Sequence, residues 1–147
     1  MTPGDLIEQF QSKNLKQENW THEAHLWVAL HYLELWGPEK SLFRLREDIQ
    51  QLNLAHGVFT TKSMGYHEPR TRVWLSVLWK ALQVPLQQEQ LVSEFRVRDV
   101  ALDFYEPDTL KSWQARTDWV APEKGHLDPD PGLWGDTPPL ISLETEF

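Results

Sequence analysis

The sequence predicts an all-α protein: a compact single-domain helical bundle with an irregular Pro-rich C-terminal tail. Three observations lead there. Leu42, Leu45, Ile49 and Leu52 recur at alternating three- and four-residue steps, the spacing of one helix face. The stretch from His22 to Trp36 is apolar nearly all round, as a central buried helix is, and it stops at Gly37-Pro38. No stretch carries the alternating pattern of a half-buried strand.

Taken in order, Gly4 to about Lys13 is a short amphipathic stretch with Leu6, Ile7 and Phe10 on one side. Thr21 is placed to cap the next helix, because its hydroxyl accepts from an orphan N–H of the first turn. That helix runs from about His22 to Trp36, with Leu26, Ala29, Leu33 and Trp36 as its core stripe. Gly37 ends it, and Pro38 starts a third helix that reaches about His56 and is closed by Gly57. Glu39, Lys40, Arg44, Arg46, Glu47 and Asp48 supply the charged positions around this third helix. Val58 to Met64 reads as a loop. A fourth helix starts near Pro69 and reaches about Gln83, carrying Val73, Trp74, Val77, Leu78 and Ala81, and Pro85 ends it. Leu86–Glu94, Val100–Tyr105 and Asp108–Ala115 follow as short helices. Residues 1–121 thus form the helical domain. Residues 122–147, rich in Pro, Gly and Asp, form a tail that is extended or partly docked, with Trp134, Leu140 and Ile141 favouring docking.

Composition narrows the functional classes. The 147 residues suit one domain, and 40% hydrophobic with 24% charged residues suits a globular one. Eight Trp, six Phe and three Tyr need a core or a binding cleft to occupy. Lys and Arg number 14 against 22 Asp and Glu, a net charge of −8, which argues against nucleic-acid binding because phosphates call for a basic stripe. The absence of Cys removes disulfides, thiolate metal sites and Cys nucleophiles. No apolar run approaches the ~20 residues that span a bilayer. The start, Met1-Thr2-Pro3-Gly4-Asp5, lacks a basic n-region and an apolar h-region, and the expected location is the cytoplasm.

The histidines point to one place where chemistry can occur. His22 and His25, three residues apart on a helix, share the face that continues into Leu26, Ala29 and Leu33. His56 is the next position in register after Leu42, Leu45, Ile49 and Leu52. Short connections make consecutive helices antiparallel, so His56 is expected beside the start of the His22 helix. The approach to the fourth helix, Gly65-Tyr66-His67-Glu68-Pro69, reaches the same end of the bundle. Four imidazoles and one carboxylate therefore converge from three parts of the chain. The bland alternative is a set of rings satisfied by hydrogen bonds at helix mouths. His31, on the flank with Trp27 and Leu35, and His126, in the tail, fall outside the cluster.

Trp20-Thr21-His22-x-x-His25-Leu26 followed by Tyr66-His67-Glu68 resembles a family of small bacterial helical proteins of unknown function. The family shows an aromatic-Thr-His-x-x-His-Leu entrance, a helix ending in Ala-His-Gly or similar, and then Tyr-His-Glu-Thr. The likeness spans about residues 18–120 and puts His22, His25, His67 and Glu68 on the motif positions, with His56 a weaker match. It carries no activity to transfer. The chain departs from the pattern at Pro69, and proline disfavours α geometry in the residue before it, so Glu68 is expected to aim differently here.

Three or four imidazoles with a carboxylate suit one divalent transition metal, Zn, Fe, Ni or Mn. The candidate ligands are His22, His25, His67, more weakly His56, and Glu68. Three ligands and an open position make a catalytic metal, whereas two His with Glu68 resemble the facial triad of non-haem iron oxygenases. Two helix N-termini at this end disfavour a cation and favour an anion, for which Arg70 is the better-placed partner and Arg72 the other. The expected function is a small metal-dependent enzyme, hydrolytic or oxygen-using, acting on a small anionic molecule. Its alternatives are a metal or small-anion binding protein without turnover, in which the same residues form an anion pocket, or an interaction protein with a structural His cluster.

Overall fold

Helix α1 (Pro3–Gln11) opens the chain, capped by Thr2, whose hydroxyl accepts from the Asp5 N–H while the Asp5 carboxylate accepts from the Thr2 N–H. The computed structural model describes residues 1–143; the last four residues of the predicted tail lie outside the described residues. After a 3-10 turn at Gln17–Asn19 comes α2 (His22–Ala55), capped by Thr21 through the Ala24 N–H at 3.2 Å. This is the pair of helices predicted around Gly37-Pro38, joined without a loop. Gly37 has φ 73° and ψ 177°, a conformation open almost only to glycine, and the chain turns back there. Tyr32 on the first arm donates its hydroxyl to Asp48 on the second. Sixteen residues along a straight helix would stand roughly 24 Å apart, so this bond requires the two arms to lie antiparallel.

Helix α3 (Glu68–Leu82) packs against α2, and α4 (Gln88–Phe95), α5 (Pro107–Leu110) and α6 (Trp113–Thr117) are short. The predicted helix over 108–115 is thus two pieces, and the one over 100–105 is a 3-10 turn at Val100–Asp103. Apart from an isolated bridge between Thr60 and Leu143, the described residues hold no β-structure. No helix among them is long and apolar enough to cross a membrane. Phe10, Leu26, Leu30, Leu33, Leu42, Leu52, Val73 and Leu78 are all buried in one core that includes the predicted stripes.

One stripe of α3 is polar and still buried: Glu68, Arg72 and Ser76, each one turn on from the last. The C-terminal segment satisfies it. Arg72 donates to the carbonyls of Pro131 and Gly135, both at 2.8 Å, and Ser76 donates to the carbonyl of Pro129. Farther along, Ser142 gives its N–H and its hydroxyl to the Gln50 amide oxygen, at 3.0 and 2.9 Å, and its carbonyl accepts from the Thr60 N–H at 2.6 Å. The segment beyond Pro122 is therefore docked through Ser142, held by its backbone carbonyls and by the buried side chains of Leu127 and Leu140.

Gly65 sets the path into α3. Its φ is 92°, and a Cβ there would stand 2.6 Å from the Thr60 Cα and 2.8 Å from the Phe59 carbonyl oxygen. Gly65→Ala is expected to cost about 1–3 kcal/mol in backbone strain alone, with more from the clash, read as a lower urea midpoint.

Candidate functional site

The starts of α2 and α3 meet at one end of the bundle beside the end of α2. Between them, and closed on a third side by the Arg96–Asp99 loop that follows α4, lies a cavity of about 810 Å³. His22, His25, His56, His67 and Arg70 all stand on its wall. Its floor is apolar, built from Leu26, Ala29, Leu75 and Leu78, and Trp20 and Trp74 flank it.

Each imidazole is anchored by a backbone carbonyl. His25 Nδ1 lies 2.6 Å from the Thr21 carbonyl oxygen, one turn back, and its ring stacks on Trp20 with centroids 3.6 Å apart. A carbonyl only accepts, so Nδ1 carries the hydrogen and Nε2 of the neutral ring is left as an acceptor. Burial, and after it the neighbouring His22, outweigh the Thr21 bond and bring the His25 pKa down to about 4. His22 gives Nε2–H to the Phe95 carbonyl at the end of α4, at 3.2 Å, and its ring leans on Trp74. His56, the C-cap of α2, gives Nε2–H to the Leu15 carbonyl at 2.7 Å.

His67 is committed at both nitrogens. Nε2–H donates to the Leu110 carbonyl at 2.8 Å, and Nδ1 accepts from the Arg70 N–H at 3.2 Å, making this ring the N-cap of α3. Burial chiefly, and then the charges of Arg116 and Arg70, bring its pKa down to about 4. A ring so bonded has no lone pair to give a metal.

Glu68, the other motif residue, faces away from the cavity. It is fully buried and bonded to Arg46 in a fork, Nε to Oε1 at 2.8 Å and Nη2 to Oε2 at 2.7 Å. Arg72 Nε donates to Oε2 at 2.6 Å, and the Tyr66 hydroxyl donates to Oε1 at 2.8 Å. Burial by itself would raise the Glu68 carboxyl, but the bonds and charge of Arg46, then those of Arg72 and Tyr66, hold it below the usual range. Glu68 is the first residue of α3 although Pro69 follows it, and the two guanidiniums hold it there. Its predicted role as a metal ligand gives way to that of a structural counter-ion. Arg72, the second predicted anion partner, is likewise spent in the interior.

Arg70 remains at the cavity. It pairs with Asp99 at 2.6 Å, and both side chains are more than a third exposed. Arg96 and Arg98 stand on the same wall. Neither they nor Asp99 carries a sequence signal, because they fall between the short helices Leu86–Glu94 and Val100–Tyr105, outside any apolar periodicity. Arg116 on α6 adds a further cation nearby: it donates to the Gly65 carbonyl at 3.1 Å, and its Nε has no partner among the described residues. Burial, and then Arg70, lower its pKa. His31 lies partly buried beside Tyr32, and His126 is exposed in the docked tail, both away from the cavity. Among the described residues, no three His, Cys, Asp or Glu side chains are grouped to hold a metal ion. Comparison with family models, with curated proteins and with solved structures finds no match to this chain.

Proposed function

We propose that the protein binds a small organic anion in the cavity at the start of α2 and α3, with His25 as a hydrogen-bond acceptor beside it. The observation that carries this is the charge on the wall. Arg70, Arg96 and Arg98 line it, Arg70 paired with Asp99 and Arg98 with Asp103 at 3.3 Å, so the wall keeps a surplus of positive charge in a chain of net charge −8. The apolar floor raises the strength of any charge pair made above it, because water is partly excluded. Neutral at physiological pH, His25 presents Nε2 as a hydrogen-bond acceptor for a hydroxyl or amino group of the ligand.

A second reading keeps a metal ion. His22, His25 and His56 each give one ring nitrogen to a backbone carbonyl, the arrangement that orients imidazole ligands and leaves the other nitrogen free. Calorimetric titration separates the two. Benzoate is expected to bind saturably at low salt, with affinity reduced by about tenfold or more in Arg70→Gln, since a charged hydrogen bond is lost. Benzoate heats that never saturate would overturn the anion reading. Near-stoichiometric transition metal in tag-free protein, lost on His25→Ala, would favour the second.

A further inference from the structure

The cavity is far larger than an inorganic anion needs, and its volume of about 810 Å³ falls within the range of roughly 300–1,000 Å³ typical of pockets for organic ligands. What fills the remaining space has to match the wall. Phe10, Trp20 and His25 form a column of stacked rings, with centroid separations of 4.9 and 3.6 Å and interplanar angles of 25° and 23°. The column ends at His25, in the cavity. On the α3 side the His22 ring meets Trp74 at 5.0 Å, and Trp74 meets Phe95 edge-on at 6.0 Å. Four rings thus lie on the wall, two of them imidazoles with a nitrogen left for a polar substituent. Arg70 already holds a carboxylate, that of Asp99, at 2.6 Å in an exposed pair. Exposed pairs of this kind are weak, so a ligand carboxylate can take the place of Asp99 at little cost.

We infer that the ligand is an aromatic carboxylate, its ring against the outer face of His25 and the Trp74–His22 pair and its carboxylate on Arg70. This rests on the anion reading above and narrows it to one ligand class. Stacking on the wall rewards a flat π-face over a flexible chain of equal area, and the planar guanidinium fork matches a carboxylate.

The test is calorimetric titration of the intact protein with four probes: 2-naphthoate, decanoate, inorganic phosphate and 2-naphthylmethanol. Naphthoate is expected to bind roughly three- to tenfold more tightly than decanoate, the margin that aromatic contact adds beyond area. Arg70→Gln is expected to weaken naphthoate by about tenfold or more and to leave the alcohol unchanged. Ala29→Phe, which fills the floor, is expected to abolish binding of both; the wild-type ranking of probes stands as a test even if that variant misfolds. Decanoate or phosphate binding as tightly as naphthoate overturns the aromatic class and leaves the anion reading in place. An alcohol that matches naphthoate, with Arg70→Gln inert, overturns the anion reading. No saturable binding of any probe overturns both.

Discussion

Glu68→Ala is expected to unfold the protein, or to leave it so weakly folded that the urea transition starts near zero denaturant. Removing one member of a buried, hydrogen-bonded charge set strands its partners, at a cost of about 3–5 kcal/mol. Here two guanidiniums, Arg46 and Arg72, and the Tyr66 hydroxyl lose their acceptor together. Set against a total stability of roughly 5–15 kcal/mol, that loss is decisive. Glu68→Gln keeps an acceptor oxygen but not the charge, and is expected to destabilise nearly as much. A Glu68→Ala protein that melts like the parent would show that the network contributes little. It would also reopen the metal-ligand role for this residue, because a ligand's loss reduces metal content rather than folding.

Acidification is expected to destabilise the fold well above the carboxylate range. His67 titrates near 6.5 in the unfolded chain and at about 4 in the folded one. Between those values the unfolded state binds the extra proton, so stability falls as pH falls through the window and is fully present above it. At 1.36 kcal/mol for each pKa unit, His67 by itself accounts for a loss of about 3 kcal/mol by the lower edge. His25 acts in the same direction. Glu68, whose folded pKa is lowered, holds its contribution until the pH drops below 4.5 and so acts later. Urea midpoints measured from neutral pH down to about the folded pKa of His67 should show the decline. Asn is a good N-cap without a titrating ring, so His67→Asn should be less stable at neutral pH but flatter with pH. Parallel profiles for parent and variant would contradict the assignment.

The local signals that the sequence carries were those with short-range physics behind them. The Thr21 cap, the Gly37-Pro38 break and the stripe from Leu42 to Leu52 each follow from helix geometry within a turn or two. The gathering of His22, His25, His56 and His67 at one end followed from extending those stripes through antiparallel arms. What the residues do there was not legible. The bonds of His22, His56 and His67 go to carbonyls of Phe95, Leu15 and Leu110, and a backbone carbonyl leaves no mark in the sequence. The Arg46–Glu68 pair joins positions 22 residues apart, and charged residues around a helix read as a solvated face until the fold brings them together. Docking of the tail was expected from Trp134, Leu140 and Ile141, of which Leu140 is buried and Ile141 exposed. The bonds that hold it, from Arg72 and Ser76 to the carbonyls of Pro129, Pro131 and Gly135, were not legible for the same reason.

The most direct test of the cavity as a binding site is the histidine ring nitrogens themselves, followed by long-range proton–nitrogen correlation on ¹⁵N-histidine-labelled protein at neutral pH while 2-naphthoate is added. Binding in the cavity predicts neutral rings at His25 and His67, with the hydrogen on Nδ1 of the first and Nε2 of the second, as their carbonyl partners require. It predicts saturable shifts at His22 and His25, smaller ones at His56 and His67, and none at His31 or His126. Shifts that are equal at all six rings, confined to His31 or His126, or linear with added naphthoate would contradict a ligand site at the start of α2 and α3.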